Sequence, residues 1–117
     1  MTRSNVYIKL TGGRKLLFVL GSTSSPGQRF IVEKFLTPLL ALNDPSKELE
    51  WIETFADHVN ELHTDASYRY VIDLEKKTVR FYEEHYNHKT GTFWKGKDLT
   101  EERYLPYVRS LNPPQTS

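Results

Sequence analysis

Cysteine is absent from the chain, and that single absence excludes disulfides, thiol nucleophiles and thiolate metal sites together. Long apolar runs are absent as well. None approaches the roughly 20 residues that a membrane-crossing helix needs, so no membrane partner is expected. Nor does charge of one sign dominate: the 117 residues carry a formal net charge of +1, which announces neither a nucleic-acid binder nor an acidic protein. Met1-Thr2-Arg3-Ser4-Asn5 leads into an alternating stretch containing Lys9, not into the apolar segment of a secretory leader. A cytoplasmic protein is the expectation.

What is present is ordinary globular composition, 38% hydrophobic and 26% charged, in a length that suits one domain with one modest core. The charge is unevenly placed. Residues 1–43 hold six basic and one acidic side chain, residues 44–66 one basic and seven acidic, and residues 67–117 nine basic and seven acidic. The middle block falls on one expected helix, so one face should be negative against a mildly positive remainder, a polarity suited to steering a partner.

Val6, Ile8 and Leu10 alternate with Tyr7 and Lys9, then Gly12-Gly13 supplies a tight turn before the more continuous Lys15 to Leu20. That is a β-hairpin. Ser25-Pro26-Gly27-Gln28 reads as a helix start, with Ser at the N-cap, Pro at N1 and Gln closing a capping box. Apolar residues follow at helical spacing through Phe35, Leu36, Leu39 and Leu40, and Pro38 should end or kink the helix near Thr37. Asp44-Pro45 repeats the start signal. The stripe Leu49, Ile52, Phe55, Ala56, Val59 and Leu62 predicts a second helix whose other face carries Glu48, Glu50, Glu53, Asp57 and Glu61.

In "YRYVIDLEKKTVRFYEEHY" two alternating runs flank Glu75-Lys76-Lys77, with Arg69, Asp73, Arg80 and Glu84 sharing the polar face where opposite charges can pair. "NHKTG" reads as another turn, Thr92 to Lys95 as a short returning strand, and Asp98-Leu99-Thr100-Glu101 as the cap of a last helix. The order β-β-α-α-β-β-(β)-α predicts an α+β domain over residues 1–112: a mostly antiparallel, 4–5-stranded sheet with helices packed on one face. Residues 113–117, with Pro113-Pro114, read as a disordered tail.

Chemistry-bearing patterns are few. The loop at residues 21–27 lacks the Gly-Lys-Ser/Thr of a phosphate loop; Ser24, Ser25 and Arg29 at a helix start could hold an anion, against the plainer reading of a capped helix. Glu83 and His85 point the same way along a strand, and with His88 they are weak metal-ligand candidates; the plainer reading is an exposed hairpin end. Tyr82, Tyr86, Phe93 and Trp94 lie among Lys89, Lys95 and Lys97. Such a cluster suits a protein interface, single-stranded nucleic acid, or simply a soluble sheet edge. No cofactor is implied, no catalytic set stands out, and an enzyme is disfavoured.

The leading expectation is a small non-enzymatic module that binds another protein, as an adaptor, inhibitor or immunity-type protein does. Its contacts would come from Tyr82, Tyr86, Trp94, Lys95 and Lys97, or from the acidic residues Glu50, Glu53 and Asp57. Single-stranded nucleic-acid binding through the same aromatic-basic cluster is the alternative, and an anion- or metal-dependent enzyme comes third. An unpaired sheet edge also offers a route to a homodimer.

Overall fold

A computed structural model describes residues 3–21, 26 and 31–111. The chain is α+β, but the sheet is larger than expected and mixed. Its six strands are β1 (Ser4–Lys9), β2 (Lys15–Leu20), β3 (Ala56–Val59), β4 (Tyr68–Asp73), β5 (Thr78–Asn87) and β6 (Thr92–Asp98). They lie in the order β3-β2-β1-β4-β5-β6. Neighbours are antiparallel except β1 and β4, which run parallel with Val6 opposite Tyr70. The two expected hairpins are therefore joined through their first strands. That parallel pair is open to the chain because the long helical stretch between the hairpins returns it to the same end of the sheet.

The turns follow from local chemistry. Gly12 and Gly13 both take positive φ between β1 and β2. Between β4 and β5 the Asp73 carboxylate accepts from the Glu75 and Lys76 amides, and between β5 and β6 Asn87 does the same for Lys89 and Thr90.

Helix α1 (Thr37–Ala41) does not end at Pro38. It follows a π-helical turn, Val32–Leu36, in which the Thr37 amide reaches back five residues to the Val32 carbonyl. Helix α3 (Leu105–Leu111) repeats the device ahead of Pro106: the turn Thr100–Tyr104 closes with the Leu105 amide on the Thr100 carbonyl. A proline ring collides with the carbonyl four residues back in a regular helix, and the wider turn makes room for it. The start signal at residues 25–28 lies outside the described residues except for Pro26, as does the expected tail.

Helix α2 (Pro45–Phe55) has the expected cap, Asp44 Oδ1 accepting from the Ser46 and Lys47 amides. It stops at Phe55, seven residues short of Leu62. Ala56–Val59 instead pairs with β2 as an edge strand. Helical spacing continues through these residues, yet they pair along one side with β2, so tertiary contact overrides the local pattern.

One core lies between the helices and the sheet face bearing Val6, Ile8, Phe18, Leu20, Tyr70, Ile72 and Phe81. Val32, Phe35, Leu36, Leu39, Ile52, Leu99 and Tyr104 close it from the helical side. Trp51 packs on this core; its indole N–H donates to the Phe35 carbonyl at 3.1 Å.

Glu48 corrects the reading of α2 as one solvated acidic face. It is fully buried, and its two oxygens accept from the Thr11 amide at 3.0 Å and the Thr11 hydroxyl at 2.6 Å, tying α2 to the first hairpin turn. The sheet's other face is crossed by residues 60–67. There the His63 backbone brackets the Asn5 side chain, accepting from Nδ2 at 3.1 Å and donating to Oδ1 at 2.8 Å.

Candidate functional site: an exposed tryptophan on the β5–β6 arm

Strand β5 is twice the usual length, and its two halves have different neighbours. Thr78 to Glu83 pairs with β4, while Glu84 to Asn87 pairs along β6. Beyond the end of β4 the two strands therefore form an arm. Its register places His85 opposite Trp94 and Tyr86 opposite Phe93.

A bulge shapes one face of this arm. Between the Glu84–Lys95 and Tyr82–Asp98 pairs, β6 holds two residues, Gly96 and Lys97, against the single residue Glu83 of β5. The Glu83 carboxylate accepts the Lys97 amide at 3.3 Å and lies 3.5 Å from His85 Nε2. The His85 imidazole lies across Gly96, where an added Cβ would stand 2.4 Å from Nε2. It also stacks on Trp94, with centroids 4.2 Å apart and planes 18° apart. Trp94 is nonetheless 52% exposed. A large indole is thus held against solvent in a set orientation by a carboxylate, an imidazole and a glycine.

The opposite face of the arm holds Tyr86 against Phe93 and His88. Lys95 lies over the Tyr82 ring at 4.8 Å. Lys97 pairs with Glu102 at 2.9 Å, and that hydrogen bond and charge hold its ammonium above the ordinary lysine value. Arg80 pairs with Asp98. Burial pushes the Asp98 carboxyl up, but the Thr100 amide and hydroxyl and the Arg80 guanidinium outweigh that and leave it below its usual value. Much of the positive charge near the arm is thus already matched within the chain.

The sequence candidates fall into four places. Tyr82, Tyr86, Trp94, Lys95 and Lys97 do gather on the arm. Glu83 and His85 meet, but His88 packs on Tyr86 instead, and among the described residues no three His, Cys, Asp or Glu side chains stand where they could share a metal ion. Glu50 and Glu53 are exposed on α2, whereas Asp57 is on β3, its carboxylate lying over Gly21. Ser24, Ser25 and Arg29 lie outside the described residues.

Sequence reasoning missed Gly96, the position that lets His85 reach Trp94. The signal was available in principle: placing the turn at Asn87–Gly91 sets His85 opposite Trp94 and leaves a glycine two residues on. It also missed the buried group formed by Asn5, Tyr7, Arg69 and Glu84, of which only the shared face of Arg69 and Glu84 was legible.

Compared with protein-family models, with curated proteins and with solved structures, the chain matches none. Among the described residues no helix is long and apolar enough to cross a membrane.

Proposed function

We propose that the protein is a non-catalytic module that binds another protein through the β5–β6 arm, with Trp94 as its anchor. The observation that carries this reading is the stacked, half-exposed indole. Fixing a tryptophan before contact lowers the ordering cost of association, and tryptophans are over-represented among the residues that dominate interface energies. The neighbouring cations favour a protein over nucleic acid as the partner. Lys95 and Lys97 are engaged by Tyr82 and Glu102, so a phosphate backbone would have to compete for them.

The test is recovery of a partner from source-cell extract on the immobilised protein, followed by titration of the purified pair. Trp94→Ala should weaken that pair by roughly 30-fold, equivalent to about 2 kcal/mol, while Glu50→Ala leaves it unchanged. Loss with Glu50→Ala alone would move the contact to the acidic helix. Steeply salt-dependent binding of single-stranded oligonucleotides, lost with Trp94→Ala, would favour the nucleic-acid reading instead.

A further inference from the structure

The sheet face turned away from the helices is built in rows by the strand register. Leu17, Tyr7 and Val71 stand side by side across β2, β1 and β4, and all three are half-buried. The next row toward the turns is Lys15, Lys9 and Asp73. The row on the other side, Val19, Asn5 and Arg69, lies where residues 60–67 cross the sheet. Between that crossing and the turns, Asn60 and these rows line a groove of about 460 Å³ that is open to solvent, a volume in the range of small-molecule sites.

The groove is apolar along its floor and cationic at its mouth. Lys9 and Lys15 are directly opposite each other, an arrangement of like charges that destabilises a strand pair unless an anion intervenes. Lys9 is met by Glu75 at 3.3 Å; Lys15 has no ion-pair partner among the described residues. Asp73, opposite Lys9, is bound by the Lys76 and Glu75 amides of its own loop, and these bonds with the Lys9 and Lys76 charges hold its carboxyl below its usual value. The two turns at this end hold Lys9, Arg14, Lys15, Lys76 and Lys77 against only Asp73 and Glu75. The floor is also fixed in advance: the Arg69 guanidinium lies 4.2 Å over the Tyr7 ring, and the Tyr7 hydroxyl donates to Glu84 at 3.3 Å.

We propose that this groove binds a small amphipathic carboxylate. The apolar body lies along Leu17, Tyr7 and Val71, and the carboxylate meets the Lys15 ammonium, beside a Lys9 already paired with Glu75. This site is separate from the arm and does not depend on the protein-binding reading.

Titration of the full chain with sodium decanoate, kept below its micelle concentration and followed by calorimetry and amide NMR, tests it. One decanoate should bind per chain, shifting the amides of residues 7–9, 15–17 and 71–73. Decylammonium, with the same chain and the opposite charge, should bind at least about tenfold more weakly. Lys15→Glu, an exposed substitution, should weaken decanoate about tenfold. Val71→Asp should abolish binding while circular dichroism confirms that the variant folds. Absence of saturable binding, equal affinity for decanoate and decylammonium, or indifference to Lys15→Glu would each overturn the proposal.

Discussion

Arg69 holds the buried Glu84 carboxylate through two nitrogens, Nε at 2.9 Å and a terminal nitrogen at 2.8 Å, both on Oε1. The other oxygen accepts from Asn5 Nδ2 at 2.9 Å and from the Tyr7 hydroxyl. Removing one partner of such a pair strands a charge out of water, a loss larger than the net worth of the pair itself. Arg69→Leu should therefore cost about 3–5 kcal/mol in urea unfolding. Adding Glu84→Gln, which removes the stranded charge, should recover part of that. A single-variant cost below about 1 kcal/mol would mean that the carboxylate is far better solvated than its surroundings indicate.

Glu48 and Glu50 look alike in the sequence, two acidic residues in the first half of one helix, and they should behave differently. Glu48→Ala removes the side-chain acceptor of the Thr11 amide and leaves a void beside the first turn. A cost on the order of 3 kcal/mol is expected. Glu50→Ala, on an exposed position, should stay within about 0.5 kcal/mol of the parent. Equal effects in thermal or urea unfolding would contradict the burial of Glu48.

Those two glutamates also mark where legibility ended. Period-2 alternation made β1, β4 and β5 readable, because one face of each strand must be apolar wherever it meets the core, and β2 was readable as a short apolar run after the Gly12-Gly13 turn. Asp44-Pro45 was readable because a cap acts within one turn. Ala56 to Val59 was not: Phe55, Ala56, Val59 and Leu62 keep helical spacing, and only the presence of β2 alongside makes a strand of residues 56–59. Glu48 was misread because helix periodicity assigns faces, not the particular donor that can draw a carboxylate inward. The parallel β1–β4 pair depends on where a long connection returns, which no local pattern encodes. On the arm, the turn at Asn87–Gly91 sets His85 opposite Trp94, but the bulge at Gly96–Lys97, which shifts the register beyond Glu84, has no local signal.

Stability should fall at alkaline pH. Burial, with the Glu84 charge beside it, pushes the Tyr7 hydroxyl up to about 12, and burial alone does the same to Tyr104. Burial also raises Tyr70 well above its ordinary value. These groups prefer to stay neutral in the folded chain, so their stabilisation is complete below the ordinary tyrosine value near 10. It is lost as pH rises from there through about 12, because the unfolded chain releases the protons first. Melting temperatures taken in steps across that window should decline, and Tyr7→Phe should flatten part of the decline. A flat profile would contradict the burial of these hydroxyls.

The arm's central feature is an exposed indole stacked on the His85 imidazole. In ¹⁵N relaxation of the Trp94 indole N–H, the parent chain should give an order parameter approaching the ~0.85 of rigid backbone, despite the ring's exposure. Gly96→Ala places a methyl where the His85 imidazole now lies, so it should unstack the ring and lower the value below ~0.6 while leaving the core unchanged. A parent indole already as mobile as a free surface side chain, or one indifferent to Gly96→Ala, would contradict the account.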